Sequence, residues 1–250
     1  MTSSLRDCLA EAMVSLDASE PGEPVCDECR VVPVRWYRDL CPSCHEARVE
    51  RDRRLTMSEA LRTLPESYHT WAEVKTHADA RIVRGLAEWT RSSGSLLVIG
   101  PTGIGKTTAV CARVRAMIEA TIRRVHPPML PIDASTVRFC AGIRWTDARA
   151  LVRASIEWKW GHGSAPEVEQ AERATLLVLD ELGYELSRTD AIHKLIEDRY
   201  KLQRLTITTS GLTWQELEKR YGDAVARKLH GGSSGTVIDC HAEGKGGAHA

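Results

Sequence analysis

Four apolar residues, Leu96-Leu97-Val98-Ile99, run directly into Gly100-Pro101-Thr102-Gly103-Ile104-Gly105-Lys106-Thr107-Thr108, and Ala109-Val110-Cys111-Ala112 follow with helical character. A buried strand, a G-x-x-x-x-G-K-T loop and a helix in that order form a phosphate-binding loop. The glycines let backbone N–H groups turn inward around a polyphosphate, and the helix N-terminus adds the positive end of its dipole. Lys106 is expected to reach the outer phosphates. The Thr107 hydroxyl is expected to ligate Mg²⁺. The nucleotide contacts predicted here run from Gly100 through Thr108.

A second segment has matching chemistry. Thr175-Leu176-Leu177-Val178-Leu179 is an apolar strand that ends in Asp180-Glu181. A carboxylate at a strand's carboxyl end suits Mg²⁺ held through its water shell, which is the role expected of Asp180. Glu181 is placed to orient and deprotonate an attacking water.

Composition bears on partners. The 250 residues carry 34 basic and 34 acidic side chains, a formal net charge of zero. No global basic field marks a nucleic-acid surface, so any such contact is local. No apolar run approaches the roughly 18 residues of a membrane span, and the acidic N-terminus lacks the apolar core of a signal peptide. A cytoplasmic location without membrane association is the expectation.

Two Cys-x-x-Cys pairs, Cys26/Cys29 and Cys41/Cys44, have the spacing of a four-thiolate structural Zn²⁺ site. His45 adjoins the last of them, but four sulfurs close the tetrahedron. So small a module has too little core to fold unaided, and the metal supplies its stability. Between the pairs, residues 31–37 suggest a ribbon, and residues 5–17 suggest a short amphipathic helix.

The predicted organisation is a zinc-binding module over 1–50, a helical linker and lead-in over 51–92, an α/β nucleotide-binding domain over 93–242 and a disordered tail over 243–250. The basic cluster Arg48, Arg51, Arg53, Arg54 is a candidate nucleic-acid contact, but the acids interleaved with it favour a solvated face. Within the core, 96–100, 137–145, 175–181, 205–210 and 236–240 are the expected strands. Helices are expected near 106–124, from Thr146 as N-cap to about 160, over 189–202, from Thr213 to about 221, and over 223–229. Prolines and glycine break the chain near 126–131 and 161–166. Strands alternating with helices imply a parallel sheet covered on both faces.

With these blocks in place, residues 65–240 resemble the DnaC/DnaI/IstB group of AAA+ ATPases. The carriers are GPTGIGKTTAV, LLVLDELGYE, the helix ending IEDRY, LTITTSGLTWQEL and YGDAVARKL, in the family's order and spacing. The resemblance implies a three-layer P-loop ATPase without a C-terminal lid that uses ATP, Mg²⁺ and Zn²⁺. It also implies a homo-oligomer on single-stranded DNA that loads a replicative helicase docked through the N-terminal module. The alternative it offers is an ATPase of the IstB kind that assists a transposase. Two positions depart from the family. Its fourth strand ends T-S-N-L, with the Asn sensing the γ-phosphate, whereas this chain has Thr209-Ser210-Gly211-Leu212, which leaves Ser210 or Thr209 for that contact and implies weak hydrolysis. Its subunit-bridging arginine falls at Lys228, with Arg227 just before it, so either residue is the candidate. Arg199 in IEDRY is a further interface candidate or a brace at the sheet edge.

Overall fold

The computed structural model describes residues 25–30, 40–66, 69–124, 133–158, 163–185, 190–232 and 235–241. The helix expected at 5–17, the ribbon at 31–37, the break at 126–131 and the tail from 243 lie outside the described residues. The described residues divide into two compact units, one up to Asp52 and one from Arg53 onward. Helix α1 (Pro42–Leu61) begins in the first and ends in the second.

The second unit is built on a five-stranded sheet in the order β2-β3-β4-β1-β5. Its strands are β1 (Leu96–Ile99), β2 (Ile143–Asp147), β3 (Leu176–Leu182), β4 (Leu205–Ser210) and β5 (Thr236–Asp239). Every pairing is parallel, with Ile99 in register with Ser210 on one side and Asp239 on the other. Parallel sheets need helices on both faces, and the alternation of side chains along each strand separates two cores. Leu96, Val98, Leu176, Val178 and Ile207 face one core. That core is filled by α2 (Trp71–His77), α3 (Ala80–Glu88), α4 (Lys106–Arg124) and α5 (Ala134–Ala141). Leu97, Ile99, Leu177 and Leu179 face the other. It is filled by α6 (Ala148–Glu157), α7 (Pro166–Arg173), α8 (Asp190–Lys201), α9 (Trp214–Tyr221) and α10 (Asp223–Leu229). A three-layer α/β fold with a phosphate loop after its β1 strand is therefore the architecture.

Residues read as linker and lead-in contribute to the first core through Ala60, Leu64, Val74, Ile82, Leu86 and Trp89. Arg113 of α4 ties them down by donating to Leu86 O at 2.7 Å and Trp89 O at 3.0 Å. Thr70 with Glu73, and Thr213 with Glu216, form reciprocal capping boxes at α2 and α9. Loss of either cap would cost about 1 kcal/mol.

Three local expectations need correction. The strand expected over 137–145 is divided: 134–141 is helix α5, and β2 begins only at Ile143. Asp133 caps α5 by accepting from Thr136 N at 2.8 Å, Thr136, Phe139 and Cys140 bury at helical spacing, and Gly142 ends it. The N-cap of the next helix is Asp147, not Thr146, because its carboxylate accepts from Arg149 N at 2.7 Å and Ala150 N at 3.1 Å. That helix stops at Glu157. Helix α7 was not expected. Its signals were Pro166 at the first turn, acids Glu167 and Glu169 beside it, and the apolar pair Val168 and Ala171, which are buried.

Candidate nucleotide and metal sites

The phosphate loop forms because β1 ends against β4 while the chain must reverse into α4. Gly103 (φ 89°) and Gly105 (φ 86°) adopt left-handed backbone that glycine enters without strain. Pro101, Thr102 and Gly103 are exposed, Thr108 is half-buried, and Ile104 packs on the first core. Asp79 N donates to Ile104 O at 3.3 Å, so the lead-in to α3 flanks the loop. Helix α4 starts at Lys106, which directs its free N–H groups at the loop. The Lys106 ammonium lies across the loop, donating to Gly100 O at 2.7 Å and Pro101 O at 2.8 Å. Partial burial holds it below the ordinary lysine value.

Three strand ends converge beside this loop. Thr107 Oγ1 donates to Asp180 Oδ1 at 3.0 Å, and the Thr209 hydroxyl donates to the same oxygen. Asp180 is 6% exposed, and burial pushes its carboxyl above the ordinary value although both threonine bonds pull it down. A hydroxyl paired with a buried carboxylate is a hard-oxygen donor set that fits Mg²⁺, which keeps several waters of its own. A bound dication would favour the ionised carboxylate over the protonated form.

Glu181 occupies a β-bulge. Leu179 pairs with Thr208 while Leu182 pairs with Ser210, so β3 spends one extra residue there. Glu181 has φ 54°, and its N–H donates to Thr209 Oγ1 at 3.1 Å. A left-handed non-glycine residue of this kind costs of order 1–3 kcal/mol and persists where its surroundings hold it. The Glu181 carboxylate is half-exposed and receives the Arg149 guanidinium, which also lies 3.8 Å from Asp147 Oδ1.

The remaining predicted residues fall elsewhere. Ser210 is fully buried. Its hydroxyl donates to Leu182 O at 2.7 Å and accepts from Leu212 N at 3.0 Å, which ties β3 to the turn before α9 and commits its one O–H away from any phosphate. Arg227 pairs with Asp223 at 2.5 Å and is largely exposed. Lys228 pairs with Glu197 at 2.7 Å, is mostly covered, and holds that carboxyl below its usual range. Neither bonds to the phosphate loop among the described residues. Arg199 is a brace: at 1% exposure it donates to Thr206 Oγ1 at 2.9 Å, Ala171 O at 2.7 Å and Ala174 O at 2.9 Å. Burial, with Arg204 nearby, pushes it down to about 9. As placed, it offers nothing to a neighbouring subunit.

In the first unit, the sulfurs of Cys26, Cys29, Cys41 and Cys44 all lie within 4.8 Å of one another, and Cys29 and Cys41 are 3.9 Å apart. Zn–S bonds of about 2.3 Å arranged tetrahedrally put sulfurs about 3.8 Å apart, so the four fit Zn²⁺. The thiols perturb one another strongly. Burial pushes Cys26 up, but backbone amides of Cys29, Cys41 and Glu28 outweigh it and bring it down to about 6. Cys44 is pushed up to about 12, first by its bond to Cys41 and then by burial. A dication displaces those protons and resolves the crowding.

No family model matches the sequence, and no curated protein matches it. Solved structures of similar fold do exist. The DnaC helicase loader is 19% identical over 71% of this chain and 96% of its own, with a TM-score of 0.45. DnaI is 19% identical over 72% of this chain and 92% of its own, with a TM-score of 0.44. AMPPCP-bound DnaA from Aquifex aeolicus is 19% identical over 63% of this chain and 44% of its own, with a TM-score of 0.41. At this distance the likeness says nothing of activity, and the fold rests on the strand order and loop described above.

Arg149 is the site residue to which the sequence assigned no role, while Thr209, expected as a candidate phosphate contact, turns its hydroxyl to Asp180 and accepts from Glu181 N. In the sequence Arg149 lies inside the helix expected from Thr146. The available signal was its position just past the end of β2, the strand that places Asp147 beside Asp180.

Proposed function

We propose that this chain binds ATP with Mg²⁺ at the β1 loop, hydrolyses it, and uses the cycle to deliver a replicative DNA helicase to DNA. The observation that carries the nucleotide half is the convergence of Lys106, Thr107, Asp180 and Thr209 at the carboxyl edge of the sheet, with Glu181 beside them. Gly100 through Thr108 hold the polyphosphate, Lys106 offsets its charge, and Thr107 and Asp180 would hold Mg²⁺, which would supply charge neutralisation there. Glu181 takes the proton of the attacking water. The helicase half rests on the five sequence blocks that resemble the DnaC/DnaI/IstB group. In that reading the chain acts in the cytoplasm as a homo-oligomer on single-stranded DNA, the cysteine module docks the helicase, and Arg227 or Lys228 reaches a neighbour's γ-phosphate. Arg227, exposed on α10, is freer to do so than Lys228.

The test is capture of a replicative helicase by the full chain with ATP and with ADP, beside Lys106→Ala. Nucleotide-dependent capture is expected in the wild type, with ATP binding and that dependence both lost in Lys106→Ala. Undiminished ATP affinity in a folded Lys106→Ala chain removes the nucleotide site. Capture of a transposase in place of the helicase moves the chain to the transposition reading.

Arg149 restrains the base in this arrangement. A half-exposed ion pair is worth about 0.2–1 kcal/mol, so Arg149→Ala is expected to raise basal hydrolysis by at most about fivefold at unchanged ATP affinity. Phosphate release at saturating ATP checks it, and a fall in rate would make Arg149 an aid to hydrolysis rather than a brake.

A further inference from the structure

Position 211 is a side-chain vacancy with an unusual neighbour. Gly211 follows β4 directly, one residue past Ser210, whose carbonyl accepts from Gly100 N at 3.2 Å. It therefore sits at the sheet's carboxyl edge, between the phosphate loop on β1 and the Asp180-Glu181 bulge on β3. A Cβ built on Gly211 would lie 2.0 Å from the Tyr184 hydroxyl oxygen and 2.9 Å from Cζ. The phenol of Tyr184 thus fills the place a residue 211 side chain would take, and it brings an O–H there.

The turn that carries Tyr184 is held firmly. Gly183 has φ 102°, and a Cβ on it would meet Leu212 Cδ1 at 2.4 Å. The Glu185 carboxylate is fully buried, accepts from Gly183 N at 2.9 Å and from Arg220 Nε at 3.1 Å, and is also bonded by the Tyr221 hydroxyl. Tyr184 N donates to Glu181 O at 3.4 Å, which ties the backbone of the turn to the bulge. Tyr184 is nevertheless 44% exposed, and its hydroxyl has no partner among the described residues. The turn holds a water-exposed phenol at the edge of the phosphate site, where its O–H is open to exchange water for a ligand.

We propose that the Tyr184 hydroxyl, standing over Gly211, donates to the terminal phosphate of the nucleoside triphosphate held by the β1 loop and so distinguishes ATP from ADP. The proposal rests on the nucleotide reading above. Tyr184 is then a binding residue supplied by the β3 turn, at a point where β4 supplies none.

The experiment measures ATP and ADP affinity separately, by calorimetry on the full chain. Tyr184→Phe keeps the ring and removes only the O–H. A hydrogen bond to a charged group is worth about 1.5–3 kcal/mol, so ATP affinity is expected to fall at least about tenfold with ADP affinity unchanged. Gly211→Ala needs no left-handed backbone, and the three atoms nearest its methyl belong to the phenol, so by displacing Tyr184 it should lower the ATP-to-ADP ratio in the same way. A wild-type ratio in Tyr184→Phe, or an equal loss of both nucleotides, overturns the assignment. Lys106→Ala separates the two claims. If it loses ATP while Tyr184→Phe is neutral, the nucleotide site stands and the Tyr184 role falls. If wild type binds ATP no better than Lys106→Ala, both fall.

Discussion

Glu181→Gln is expected to slow ATP hydrolysis by about 10²–10⁴-fold while leaving ATP affinity nearly unchanged, because a positioned general base contributes that much to the rate and little to binding. The structure makes the substitution clean. The backbone of Glu181 is fixed by its N–H bond to Thr209 and by the bulge, neither of which involves the carboxylate. The side chain loses only its half-exposed pairing with Arg149. Single-turnover hydrolysis beside equilibrium ATP binding separates the two quantities. A Glu181→Gln chain that turns over at the wild-type rate would take Glu181 out of the chemistry.

The second large effect concerns the metal. The described core of the first unit consists of Cys26, Leu40 and Cys41 with Cys29 and Cys44 against it, so the sulfurs are most of what is buried there. Apolar burial among these described residues is small beside the entropy of ordering a chain, and structural zinc, worth about 10–16 kcal/mol in small modules, is the stabiliser proposed for this unit. One zinc per chain is expected in the wild type and none in Cys41→Ser, with loss of ordered structure confined to the first unit. ATP binding is expected to survive, since the two cores around the sheet contain none of these cysteines. Metal analysis and limited proteolysis decide it. A folded N-terminal unit that holds no zinc would contradict the assignment.

The parts of the site written in consecutive residues were legible before any coordinates. The β1 loop, the acid pair after β3 and the two Cys-x-x-Cys turns each carry their chemistry within a few positions, and local sequence states local chemistry directly. Residues 134–141 were not legible because Val137 and Thr136 weigh toward strand, whereas the deciding signals, the Asp133 cap and the stop at Gly142, are single residues. The bulge at Glu181 is a property of register between β3 and β4, which no single strand's pattern contains. Arg149 and Thr209 stand 32 and 28 residues from Glu181, and only strand order brings them to it. Gly211 was visible as a departure from the family pattern. That Tyr184 covers it emerges only when the turn after β3 is folded.

The position of β1 has a consequence for synthesis of the chain. Both of its neighbours, β4 and β5, lie far downstream, and Ser95 awaits them, its hydroxyl accepting from Thr206 N at 3.1 Å and its carbonyl from Thr236 N at 3.0 Å. A ribosome therefore delivers the phosphate loop long before the strands that will hold it. Until residue 239 has emerged, β1 keeps at least one open edge, a template for mispairing with other nascent chains.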